Sequence, residues 1–130
     1  MNNNREIYYE WIIKAQEDEV SIKAILKNNS GSPSTACFLS QQMAEKYLKS
    51  LIVFKKMEIS KIHDLLKLAD ILKEVVSNIF DLEEEMIVLN KYYIVTRYPA
   101  DLPEGFSWDD AQKAFECAVK IKEFVLKEIA

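Results

Sequence analysis

Glycine and proline are scarce in this chain. Its 130 residues include 2 Gly and 3 Pro, against average usage of roughly 7% and 5%. That is too few for the turns of a many-stranded sandwich or barrel. Gly31 and Gly105 cannot together form a GxGxxG or GxxxxGK[ST] loop, so dinucleotide-binding and P-loop phosphate sites are excluded. One His and 2 Cys fall short of the roughly four nitrogen and sulfur ligands of a structural zinc site, and neither a metal nor a cofactor is expected. Long hydrophobic runs are missing as well. The longest wholly apolar stretches are short, as at Leu51-Ile52-Val53-Phe54, and the opening MNNNREIYYE is polar. The reading is of no membrane span and no secretory leader. Positive charge is not in excess either: 17 basic against 21 acidic residues give a formal net charge of −4. This argues against a passive grip on nucleic acid or anionic lipid, and any contact with RNA has to be local.

What the chain does have is apolar residues at helical spacing. Tyr8, Trp11, Ile12, Ala15, Ile22, Ile25 and Leu26 predict a helix over about residues 4–27. The turn-rich NNSGSPS ends it, with Ser32 placed to cap a second helix and Pro33 to open it. The second helix carries Cys37, Met43, Tyr47, Leu48, Leu51 and Phe54 on to Met57. Ser60 is the expected cap of a third, whose stripe runs from Leu65 to Val76. Asp81 and Glu84 resemble a capping box for a fourth, which Pro99 stops near Tyr98. After the loop PADLPEGF, Ser107 and Asp110 cap a fifth helix whose apolar face includes Ala111, Ala114, Ala118, Ile121 and Val125. The expectation is an all-α, up-and-down antiparallel bundle of four to five helices, one domain over residues 1–130. Cys37 and Cys117 sit among apolar neighbours and read as reduced thiols in a cytoplasmic protein.

Polar residues interrupt the second helix at Gln41, Gln42, Glu45, Lys46 and Lys49. Glu45 and Lys49 stand four apart, as in a solvated stripe with a weak ion pair. Gln42, Glu45 and Lys49 can also share one edge of the buried face. His63, the only imidazole, precedes Asp64 and reads as a capping or packing side chain at the start of helix three, since nothing completes a nucleophile triad around it. The cluster Tyr92, Tyr93, Thr96, Arg97, Tyr98, Pro99 and Asp101 places a guanidinium and phenols at the end of helix four. Arg97 there answers the last carbonyls of the helix, pairs with Asp101, or offers a bidentate grip on phosphate beside a tyrosine face for a base. Trp11, Phe38, Phe80 and Phe115 read as core.

Taken together, Trp11, Ala15 and Asp18, the stretch CFLSQQMAEKYLKS at 37–50, HDL at 63–65 and NKYYIVTRYPAD at 90–101 resemble the HEPN family, named for higher eukaryotes and prokaryotes nucleotide-binding. The resemblance implies a helical bundle, a homodimer, a nucleotide ligand and a small nucleotidyltransferase as protein partner. Many members of the wider family are metal-independent ribonuclease toxins of toxin–antitoxin pairs, with a signature Arg followed after four to six residues by His. Counted from Arg97, those positions hold Leu102, Pro103 and Glu104, and His63 lies upstream, so the signature is not present. The resemblance therefore points to a binding module on a polar edge of Gln42, Glu45, Lys49, His63, Arg97, Tyr98 and Asp101. Arg97 would take phosphate, Lys49 would add charge, Tyr98 or Tyr93 would stack, and Glu45, His63 and Asp101 would orient the rest. The alternative is a ribonuclease with His63 as base and Arg97 as the stabilising cation, which requires both to face one cleft. For the binding module, Arg97→Ala lowers affinity for nucleotide or partner and leaves the melting temperature nearly unchanged. A large loss of thermal stability with unchanged binding marks Arg97 as a helix cap instead.

Overall fold

Five α-helices and one 3-10 turn, with no strand, make up the described residues (4–59, 61–95 and 105–130) of a computed structural model. The first helix, α1 (Asn4–Asn28), ends where Asn29 turns left-handed at φ 45° and the Ser30 N–H reaches back to the Ile25 carbonyl at 3.1 Å. Asparagine tolerates that conformation better than most side chains. Ser32 then caps α2 (Pro33–Phe54), accepting from the Ser34 N–H at 3.2 Å, with Pro33 at the first position.

Helix α2 stops at Phe54, short of the expected Met57. Lys56 adopts φ 61°, its N–H bonds the Val53 carbonyl at 2.9 Å, and the Met57 N–H bonds Ile52 at 3.0 Å. This closure normally recruits glycine, so a lysine there left no stop signal in the sequence. The third helix, α3 (Leu65–Leu72), is shorter than expected and is capped by Asp64. Asp64 Oδ1 accepts from the Leu66 and Lys67 N–H groups at 2.9 and 3.3 Å. Ser60 lies outside the described residues. Asp81 falls inside the 3-10 turn Ile79–Leu82, not at a helix cap, and α4 spans Glu83–Val95. The expected end near Tyr98 and most of the following loop lie outside the described residues. At α5 (Trp108–Ile129) the capping box forms as its sequence predicts: Asp110 N–H donates to Ser107 Oγ and Ser107 N–H to Asp110 Oδ2, both at 3.0 Å.

Contacts between the helices fix their directions. Tyr8 meets Phe54 edge-on at 5.1 Å, and Lys46 pairs with Asp18 at 2.7 Å, so α1 and α2 run antiparallel. Tyr92 meets Phe106 edge-on at 4.7 Å, and the Phe106 N–H donates to Ser34 Oγ at 3.5 Å. Those contacts gather the end of α4 and the starts of α5 and α2, so α2 and α5 lie parallel while successive long helices alternate. This is the expected all-α, up-and-down bundle. Helix α2 is its centre: Met43, Tyr47, Leu48 and Leu51 are fully buried, against Ala15 and Ile22 of α1 and Ala111, Ala114 and Ala118 of α5. The alanine face of α5 lets the two backbones approach closely. Glu19 of α1 is gripped by Lys122 of α5 at 3.1 and 3.0 Å. Of the aromatic residues expected in the core, Trp11, Phe38 and Phe115 are half-buried and Phe80 is exposed.

Both cysteines are free, Cys37 buried and Cys117 half-buried. Burial pushes the Cys37 thiol up to about 12, which makes it a poor nucleophile. Among the described residues no helix is long and apolar enough to cross a membrane.

Two caps carry pH dependence. The hydrogen bond from the Ser107 backbone holds Asp110 below the ordinary 3.8. Asp64 is also lowered: burial opposes its charge, but the bonds from Asn90, Lys67 and Leu66 together outweigh it. A carboxyl depressed by folding stabilises the native state above its unfolded value, and that stabilisation is lost as pH falls through the folded value. Asp18 acts in the opposite sense, since burial raises it despite its bond to Lys46. Asp64→Ala and Asp110→Ala should each lower stability by about 1 kcal/mol at neutral pH. Urea titrations should show the gap to wild type closing well below pH 3.8. Relieving the left-handed residue, Lys56→Gly should raise stability by about 1 kcal/mol in the same assay.

Candidate functional site

The polar row of α2 is buried. Gln41 is 0% exposed, Glu45 8% and Lys49 5%, so the expected solvated stripe is instead a network inside the protein. Gln42 and Lys46 of the same helix are half-buried, Lys46 pairing with Asp18 of α1. Glu45 is the centre of the network. Its Oε1 accepts from Gln41 Nε2 at 3.1 Å, and its Oε2 accepts from Lys49 Nζ at 2.9 Å. His63 Nδ1 lies 3.0 Å from the same Oε2. Gln41 Nε2 also donates to the His63 carbonyl at 3.2 Å, tying the segment before α3 onto α2.

The Gln41 amide orientation follows from these partners. A carboxylate oxygen and a backbone carbonyl are both acceptors, so the NH2 group must face them. That leaves Gln41 Oε1 buried and unpartnered among the described residues, as is the Tyr47 hydroxyl. On the far side of the network Lys49 Nζ lies 5.5 Å from the centre of the Trp11 ring, a cation–π contact that brings in α1.

His63 faces a cleft. Its ring stacks on Tyr93 of α4 with centroids 4.7 Å apart and planes 12° apart, and Tyr93 in turn lies against Phe38 at 6.5 Å. The cleft has a volume of about 490 Å3 between α3 and α4, and among the described residues Leu66, Ile87, Asn90 and Lys91 line it with His63, Asp64 and Tyr93. Asn90 holds the two helices together: its Oδ1 accepts from the Leu65 N–H and its Nδ2 donates to Asp64 Oδ1, both at 2.7 Å. Lys91 Nζ lies over the Tyr92 ring at 5.3 Å. Among the described residues no three His, Cys, Asp or Glu side chains gather as metal ligands do. Among the described residues the chemistry on offer is an oriented imidazole, a stack of aromatic rings and the exposed Lys91 ammonium at the rim of an apolar cleft.

The HEPN domain family matches residues 8–129. The chain belongs to the HEPN family. Its fold is similar to that of TT1696 from Thermus thermophilus, 34% identical over 98% of each chain with a TM-score of 0.82. It is also similar to ST0689, an archaeal HEPN homologue, 28% identical over 95% of this chain and 98% of the other with a TM-score of 0.74. No curated protein matches the chain.

Of the residues singled out in the sequence of this HEPN domain, the structure brings Glu45, Lys49 and His63 into one network, while Gln42 is half-buried on the same helix. Arg97, Tyr98 and Asp101 lie outside the described residues. His63 precedes the Asp64 cap instead of lying within α3. Two residues were missed. Gln41 is polar with no role legible in the sequence, and its burial follows from contacts distant in sequence. Asn90 stands one helical turn before Tyr93, a spacing that marks a shared face. The network makes a stability prediction. Glu45→Ala leaves the Lys49 charge buried without its partner and should cost about 3 kcal/mol. The double variant Glu45→Leu with Lys49→Met removes both charges and should be clearly more stable than Glu45→Ala in chemical denaturation.

Proposed function

We propose that this HEPN domain binds a nucleotide in the cleft between α3 and α4, as a homodimer that engages a partner nucleotidyltransferase in the cytoplasm. The observation that carries the reading is the ordered series of rings Phe38, Tyr93 and His63, the last with its side chain 45% exposed at the cleft. A nucleobase can extend such a series, and the apolar wall of Leu66 and Ile87 excludes water from its edge. Lys91 is the described cation nearest in place to meet phosphate, at the rim. Lys49 has its charge committed to Glu45 and takes no direct part. Arg97 as hydrogen-bond donor to phosphate, with Tyr98 and Asp101, enters this reading from the sequence alone.

A second reading, a metal-independent ribonuclease, draws support from the Glu45–His63 contact, because a carboxylate-held imidazole is the form of base that accepts a ribose hydroxyl proton. The two readings separate in two assays. Calorimetric titration with AMP, ADP and ATP should show binding that His63→Ala and Tyr93→Ala each weaken by about tenfold or more, the scale of one lost base stack. Absence of binding at millimolar nucleotide, or affinities unmoved by both variants, overturns the proposal. RNA cleavage in the presence of a chelator, abolished by His63→Ala, would favour the ribonuclease.

A further inference from the structure

We propose that Glu45 is a positioning residue that commits the neutral His63 ring to a single tautomer, with the proton on Nδ1 and the lone pair on Nε2. As a carboxylate, Glu45 has only acceptors to offer. At 3.0 Å from Oε2, Nδ1 must therefore be the donor. In a free imidazole side chain the other tautomer, with the proton on Nε2, predominates, so the protein is selecting the minor form.

The carboxylate is itself held against rotation. Gln41 fixes Oε1 and Lys49 fixes Oε2. Gln41 also holds the His63 backbone, so carboxylate and imidazole are located by one amide. Tyr93 sets the plane of the ring. With Nδ1 occupied, Nε2 is the ring nitrogen without a partner among the described residues, on a side chain 45% exposed at the cleft.

The consequence for a ligand concerns the sign of its hydrogen bond. Neutral His63 presents an acceptor, so the ligand atom that meets it carries a proton: a hydroxyl or an amine of a nucleoside. A phosphate oxygen, which only accepts, meets Nε2 favourably after the ring has taken a second proton. This consequence rests on the nucleotide-binding reading. The tautomer does not, and it is measured on the protein without ligand.

Because the chain has 1 His, its imidazole gives one 15N spin system, in which protonated and unprotonated ring nitrogens are well separated. The spectrum is read at alkaline pH, where the shifts have stopped moving with pH. The Nδ1–H form should exceed the Nε2–H form by about tenfold or more, the scale of a hydrogen bond to a charged group. The double variant Glu45→Leu with Lys49→Met should reverse the preference. Predominant Nε2–H in the wild type overturns the proposal, whether or not the variant folds. So does a folded double variant that keeps Nδ1–H. Nucleotide titration of the wild type fails or succeeds independently of either result.

Discussion

A carboxylate buried in the middle of a helix needs hydrogen-bond partners to offset its lost solvation, and Glu45 has them from three directions. One comes from Gln41, a turn earlier on the same helix, one from Lys49, a turn later, and one from His63 on the segment leading into α3. The first two are local and cost little chain entropy. The third crosses to another part of the molecule and fixes where α3 begins. The position of the cleft follows from that contact, because Asp64, next to His63, caps α3 and is held by Asn90 of α4.

Much of the bundle was legible in the sequence because it is dictated locally. The turn at NNSGSPS, the Ser32 cap and the Ser107–Asp110 capping box are short-range arrangements with recognisable chemistry, and each formed where it was read. The boundaries that moved did so for reasons a sequence hides. Lys56 closes α2 in a conformation that usually announces itself as glycine. Asp81 sits in a 3-10 turn where its spacing to Glu84 suggested a cap.

The candidate site was legible in its residue types and not in its environment. The periodicity placed Glu45 and Lys49 on one edge, but surface and interior ion pairs share the same four-residue spacing. What decides between them is whether other helices cover the edge, and here Trp11 of α1 covers Lys49 while His63 covers Glu45. His63 and Glu45 both fall in stretches that resemble the HEPN family, which is the one feature of the sequence that links them. The stack of His63 on Tyr93 joins residues thirty positions apart and left no pattern to read.

The Asn90 side chain acts as a clamp with both jaws in use. It bonds the first N–H of α3 and the carboxylate that caps the same helix. The two walls of the cleft are thereby set at a fixed separation before anything enters. Moving the walls apart would break both bonds, and the entropy of ordering them has already been met during folding.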